Sequence, residues 1–389
     1  MGKDRHSIEI NSLSDFINAI NDLTKDFRLY NEIIYQFIEK IKNKKRSTQK
    51  DWKYYSSSFI IQEVKAISYA FAKLLYNTDS INKAELFDLQ ETLLEVINTY
   101  FQDDEIIPDQ FAITSEKAII KSLEYSPEKT TRPLQVYYRG EASVDWVALP
   151  SVLRDRESYV KESFYYHEIQ VRCPKDFENQ SFLNRLVTMQ HYELPTRLLD
   201  ITSNPLNALY FACECKKKKN KDGRVTFFPT LPGSMSYGDS DKALILSCLP
   251  HLTMYEQFQL IDEIKKSSSG IYREEPSTSI LNKLLLEIRA EKPAFQPRIA
   301  LGDILNPLFV QPNMTNPRII NQQGAFLLSG LSKSVQEAKE KIKSRMAKTH
   351  LIIPASQKDT ILEELDAIGI NQATIYPNLD KIAGYLKNQ

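Results

Sequence analysis

The sequence predicts an α+β fold, short strands set among amphipathic helices, with an all-helical block near the N-terminus. Three observations carry it. Residues 190–212, QHYELPTRLLDITSNPLNALYFA, read as a helix end, a strand and a helix start in quick succession. From Asn31 to Glu124 apolar residues recur at helical spacing, and elsewhere brief β-branched or aromatic runs such as 136–140 and 350–353 alternate with helical patterns.

In the central stretch, Leu183, Leu186, Val187 and Gln190 fall at i, i+3, i+4 and i+7, so a helix runs toward His191 and Pro195 stops it. Residues 196–202, bounded by Pro195 and Pro205, read as a strand with Asp200 and Thr202 on one face. Ser203 or Asn204 ahead of Pro205 is a helix start, and Leu206, Leu209, Tyr210 and Cys213 continue it. Asp200, Thr202, Ser203 and Asn204 thus stand where a strand feeds a helix, a place suited to a polar ligand with phosphate or ribose. The same residue types also serve as plain caps, and both readings stay open.

Along the rest of the chain, 8–10 reads as a strand and Ser12 or Ser14 as the start of a helix with Phe16, Ile20 and Leu23. Residues 42–53, basic with the lone Trp52, read as a solvated connection within the helical block rather than a nucleic-acid contact. The polar stretch 126–132 is a seam. VYYRG, 136–140, is a strand ending in Arg139, whose guanidinium cannot shed its charge and requires an anionic partner or a water-filled cleft. Ser151 reads as the cap of a helix carrying Arg154, and Glu168 on a helix over 163–171 either pairs with an arginine or faces the cleft. The run 216–221 reads as a charged hairpin turn entering a strand over 224–228. Residues 307–331 give two β-like segments, with Gln322, Gln323 and Gly324 at the bend of the second, and 255–265 a helix. The tail reads as strand 350–353, helix 359–368 closed by Gly369, strand 374–376 and a last helix after Pro377.

Fifty basic residues balance fifty acidic ones, so no broad attraction to nucleic acid or membrane is available and partners are recognised locally. Cys173, Cys213, Cys215 and Cys248 form no CxxC pair and read as thiols of a reducing compartment, the cytoplasm. No apolar core of signal-peptide length opens the chain, and no apolar run nears the roughly 20 residues of a membrane span. A metal-dependent hydrolytic site made of His191, Asp200 and Glu168 lacks any HxH, HExxH or DxD cluster, and no metal is expected.

YYRGE followed by WVALPSVLR, the central stretch, the Gly223 strand, NPRIINQQGAFLLSG and the closing HLIIPA, LDAIGI and TIYPNLDKIAGYL together resemble the FRG domain, a prokaryotic domain named for its [FY]RG motif. The resemblance spans about 134–386. It implies a strand and helix at 1–28 packing with the domain, a helical insertion at 29–130 offering a surface to a protein partner, and the FRG domain itself at 131–389. The setting it implies is a toxin or phage-defence system. A second resemblance is to the ADP-ribosyltransferase fold, which implies a mixed or antiparallel β core with flanking helices, NAD as substrate, and ADP-ribosyl transfer or NAD glycohydrolysis. Carried over, Arg139 with Gly140 contacts the phosphate or ribose of NAD, while Thr202, Ser203 and Asn204 support the nicotinamide ribose. The late strand is 319–328, and its glutamate position holds Gln322 or Gln323, which can hydrogen-bond a ribose hydroxyl but cannot act as a carboxylate base. Asp200 or Glu168 would have to replace that carboxylate. His191, at a helix C-terminus that favours its cation, becomes a proton donor, a ribose contact or a structural hydrogen-bonding group. The competing expectation is a non-catalytic nucleotide-sensing or protein-interaction module built on the same residues. Both require Arg139 and the 202–204 corner to share one hollow.

Overall fold

The computed structural model describes residues 7–24, 135–230, 235–266, 271–273, 279–314, 316–347 and 349–387. The expected helical block, its basic connection and the 126–132 seam lie outside the described residues. The strands, in chain order, are β1 Ser7–Glu9, β2 Gln135–Glu141, β3 Leu198–Thr202, β4 Gly223–Thr230, β5 Ser236–Tyr237, β6 Ile271–Arg273, β7 Arg298–Ala300, β8 Leu308–Gln311, β9 Gly324–Leu328 and β10 His350–Ile353. The chain divides into two compact units, each gathered from three stretches: Met1–Val144, Pro205–Ser234 and Met346–Asn371 form one, and Asp145–Asn204, Met235–Arg345 and Gln372–Gln389 the other.

The first unit orders its strands β1-β10-β4-β2, with β1 parallel to β10 and the other two pairings antiparallel. Ser12 opens the helix over 13–24 by accepting from the Asp15 amide at 3.1 Å, and Phe16 and Ile20 bury its inner face. The helix Pro205–Cys213 packs on β2 and β4 through Ala208 and Ala212, one turn apart. A β-carbon on Gly140 would stand 1.8 Å from the Ala208 carbonyl oxygen, and one on Gly223 2.4 Å from that of Ala212. Small residues on both partners permit this approach. The basic run forms a 3-10 turn, Lys216–Lys218, between that helix and β4, so it joins helix to strand and is not the expected hairpin turn. Lys358–Ala367 forms the expected tail helix, and Gly369, at φ +84°, closes it, its N–H donating a hydrogen bond to the Asp366 carbonyl.

The second unit orders its strands β3-β9-β8-β5, antiparallel except for β5 on β8, with β6 and β7 as a separate antiparallel pair. Its helices Phe182–His191, Asp241–Cys248, Met254–Lys266 and Ile280–Glu291 bury Leu186, Leu244, Leu260 and Leu285 in one apolar cluster with Leu198 and Phe326 of the sheet. The α+β class and the mixed pairing agree with expectation. Three elements of this unit differ. Residues 319–328 are not one strand: the Asn316 side chain accepts from the Arg318 amide at 2.9 Å, Pro317 takes the first helical position, and a short helix Pro317–Asn321 precedes β9. Residues 374–376 belong to the end of a helical turn, Gln372–Ile375, and not to a strand. Ser151 opens a 3-10 turn, Ser151–Leu153, and its hydroxyl instead accepts from the Thr196 amide at 3.0 Å; the helix Arg156–Val160 is capped by Asp155. No helix among the described residues is long and apolar enough to cross a membrane.

Candidate functional site

In the first unit, the register of β2 on β4 sets Glu141 opposite Arg224 and Arg139 opposite Thr226. Alternation puts all four side chains on one face of the ladder, with Gly140 on the other. Glu141 is 1% exposed, and its two oxygens are divided between the arginines. Oε1 accepts from Arg139 Nε at 3.4 Å; Oε2 accepts from Arg224 Nε at 3.1 Å and from its Nη2. The arginine side chains keep 14% and 20% exposure. Arg139 therefore has the anionic partner its position demands, and the three groups carry two positive charges against one negative. On the opposite face, the space a Gly140 side chain would need is filled by the Ala208 carbonyl, so the second residue of the RG pair sets the helix–strand contact.

In the second unit, β3 and β9 bring the hydroxyl corner to the glutamine pair, with Thr202 opposite Gly324. The buried Thr202 hydroxyl donates to the Gln322 carbonyl at 2.7 Å and accepts from the Asn204 amide at 3.0 Å. The Ser203 amide donates to the Gln323 carbonyl at 3.1 Å. Gln323 holds a left-handed backbone, φ 47°, and the Gln322 side chain donates to the Ile375 carbonyl at 3.4 Å. The corner is thus assembled mainly through main-chain carbonyls of residues far away in sequence.

His191 ends its helix with Nδ1 buried and without a hydrogen-bond partner among the described residues. Burial, and after it the Arg318 guanidinium, hold the ring below its ordinary value near 6.5, overriding the helix terminus that was expected to favour the cation. His251, which bridges Glu287 at 2.9 Å and the Tyr166 hydroxyl at 3.1 Å, is lowered chiefly by burial. A folded state that prefers neutral rings keeps their full contribution above about pH 6.5 and loses it as pH falls toward the lowered folded values. Thermal denaturation from about pH 7.5 to about pH 5 should show this decline, shallower in His191→Gln; equal slopes in the two proteins would remove His191 as a source.

Asp200 is exposed and accepts from Gln190 Nε2 at 2.7 Å. Arg197 is fully buried; its Nη2 donates to Glu162 Oε2 and to Gln257 Oε1, the latter at 2.6 Å, and its guanidinium lies 5.8 Å from the Tyr159 ring centre. Glu168 pairs with Arg172 one turn along its helix at 2.6 Å. The first unit therefore holds Arg139 and Gly140, and the second holds Glu168, His191, Asp200, Thr202, Ser203, Asn204, Gln322 and Gln323. Sequence reasoning missed Arg224; a second arginine at the start of an apolar strand was the available signal.

Burial raises the Cys213 thiol to about 12 and also raises Cys248, so neither supplies a thiolate at neutral pH. Among the described residues no group of three or more His, Cys, Asp or Glu side chains is placed to hold a metal. Compared with known families, residues 134–221 match the FRG domain. No curated protein and no solved structure matches the chain.

Proposed function

The chain is an FRG-domain protein, and we propose that this domain binds a nucleotide of the NAD class through Arg139, reading the ligand rather than cleaving it. One observation carries the reading: a strand-borne arginine, held in place by a buried carboxylate, keeps part of its side chain at the surface. A guanidinium so fixed grips a phosphate by charge-assisted hydrogen bonds. Against cleavage stand the carboxylates. Expelling nicotinamide requires an anion beside the developing oxocarbenium ion, whereas Gln322 and Gln323 are amides and Glu168 is engaged by Arg172.

A second reading, NAD-dependent ADP-ribosyl transfer or NAD hydrolysis, is favoured by Asp200, an exposed carboxylate two residues before Thr202. Either activity suits a cytoplasmic toxin or phage-defence system, with the 29–130 segment as the surface for a protein partner.

Calorimetric titration of the full chain with NAD, with nicotinamide followed by chromatography, separates the two. Saturable binding without nicotinamide release is expected. Arg139→Ala should weaken binding at least about tenfold while shifting stability by only about 1 kcal/mol, because Arg224 still neutralises Glu141. Nicotinamide release abolished by Asp200→Asn would establish the second reading, and no binding of NAD would refute both.

A further inference from the structure

We propose that Arg224 is the second arm of the anion site and that Arg139 and Arg224 together select a diphosphate over a single phosphate. The proposal rests on the nucleotide reading and names the part of the ligand the domain grips. Register carries the first step. Arg224 lies directly across from Glu141, and Arg139 lies on the same strand face two residues before Glu141, so the arginines are diagonal neighbours of one ladder. Each takes its own oxygen of the shared carboxylate. Glu141 thereby fixes both arms before any ligand arrives, and the rotamer freedom a loose arginine would lose on binding is already gone.

A second, independent observation points to the same place. Thr226, directly across from Arg139 and two residues beyond Arg224 on the same face, is 1% exposed, and its hydroxyl has no hydrogen-bond partner among the described residues. A buried hydroxyl left unpaired at a ladder position next to both arginines is a donor for an anionic oxygen. Two linked phosphoryl groups give each guanidinium its own partner and leave an oxygen for Thr226. A lone phosphate serves one arm well and the other poorly.

Thermal-shift titrations of the full chain with inorganic pyrophosphate and inorganic phosphate, at matched ionic strength, test the clamp. The wild type should respond to pyrophosphate at a concentration at least about tenfold below phosphate. Arg224→Gln should lose that preference, and Thr226→Val should weaken pyrophosphate several-fold. If Arg224→Gln fails to fold, Arg224→Lys keeps the charge without the fork and should lose most of the preference. Equal responses of the wild type to both anions, or an undiminished preference in a folded Arg224 variant, overturn the clamp. NAD binding unchanged in Arg224→Gln overturns the clamp and leaves the nucleotide reading standing. A pyrophosphate preference that Arg224→Gln removes, in a wild type that ignores NAD, sustains the clamp and overturns the nucleotide reading.

Discussion

Alanine in place of Gly140 is expected to lower stability by about 3 kcal/mol or more, at or beyond the upper end for an overpacked site. The added β-carbon would stand 1.8 Å from the Ala208 carbonyl oxygen and 2.8 Å from the Ala212 amide nitrogen. Both are backbone atoms of a helix, so no rotamer change relieves the clash, and the helix Pro205–Cys213 must lift off β2. Gly384→Ala supplies the opposite sign. That glycine lies within the helix Leu379–Leu386 with nothing within 4 Å of the added carbon, and alanine there should stabilise by up to about 1 kcal/mol. Chemical denaturation of the two variants checks both. A Gly140→Ala chain of normal stability that has lost only ligand binding would reverse the assignment and make Gly140 a ligand contact.

Arg197→Leu should cost about 3–5 kcal/mol, because it strands the Glu162 carboxylate, itself 3% exposed, without its cation. Gln257 cannot replace the charge. It already donates to Glu162 at 3.1 Å and to the Leu252 carbonyl at 3.0 Å. Replacing both members of the pair with leucine should recover much of the loss, since a well-packed apolar pair often matches a buried ion pair. Asp200→Ala, three residues further along the chain, should cost under about 1 kcal/mol, because Asp200 is exposed and its bond from Gln190 lies at the surface. Urea denaturation of the four proteins tests the assignment, and a larger loss in the Asp200 variant than in the Arg197 variant would overturn it.

Where the sequence could be read, local rules were sufficient. The helix Phe182–His191, the strand Leu198–Thr202 and the helix Pro205–Cys213 each carry their own periodicity and punctuation, and all three stand where residues 190–212 put them. The short helix Pro317–Asn321 escaped although Asn316-Pro317 repeats the cap signature of Asn204-Pro205, because the apolar run behind it was read as a single strand. Residues 374–376 were misread for a related reason: a single apolar turn has too few positions to separate period two from period 3.6. Pairings across sequence were the least legible. Nothing local ties Arg197 to Glu162, or Arg224 to Glu141, since each contact joins residues that only the folded chain makes neighbours. The seam of Gly140 and Gly223 on Ala208 and Ala212 left one readable trace, two alanines at i and i+4 on an otherwise bulky helix.

The way the two units share one chain bears on how the protein can be made and cut. During synthesis β4 emerges long before its partner β10, with the second unit's helices Asp241–Cys248, Met254–Lys266 and Ile280–Glu291 still to come, so its free edge stays uncovered while they are translated. A fragment trimmed to residues 134–221 would keep β2 and β3 yet lack β4 and β9, the strands that pair with them, and would expose two unpaired edges in place of a domain. Removal of either unit by truncation is for the same reason closed to experiment, and dissection of this protein has to proceed by point substitution.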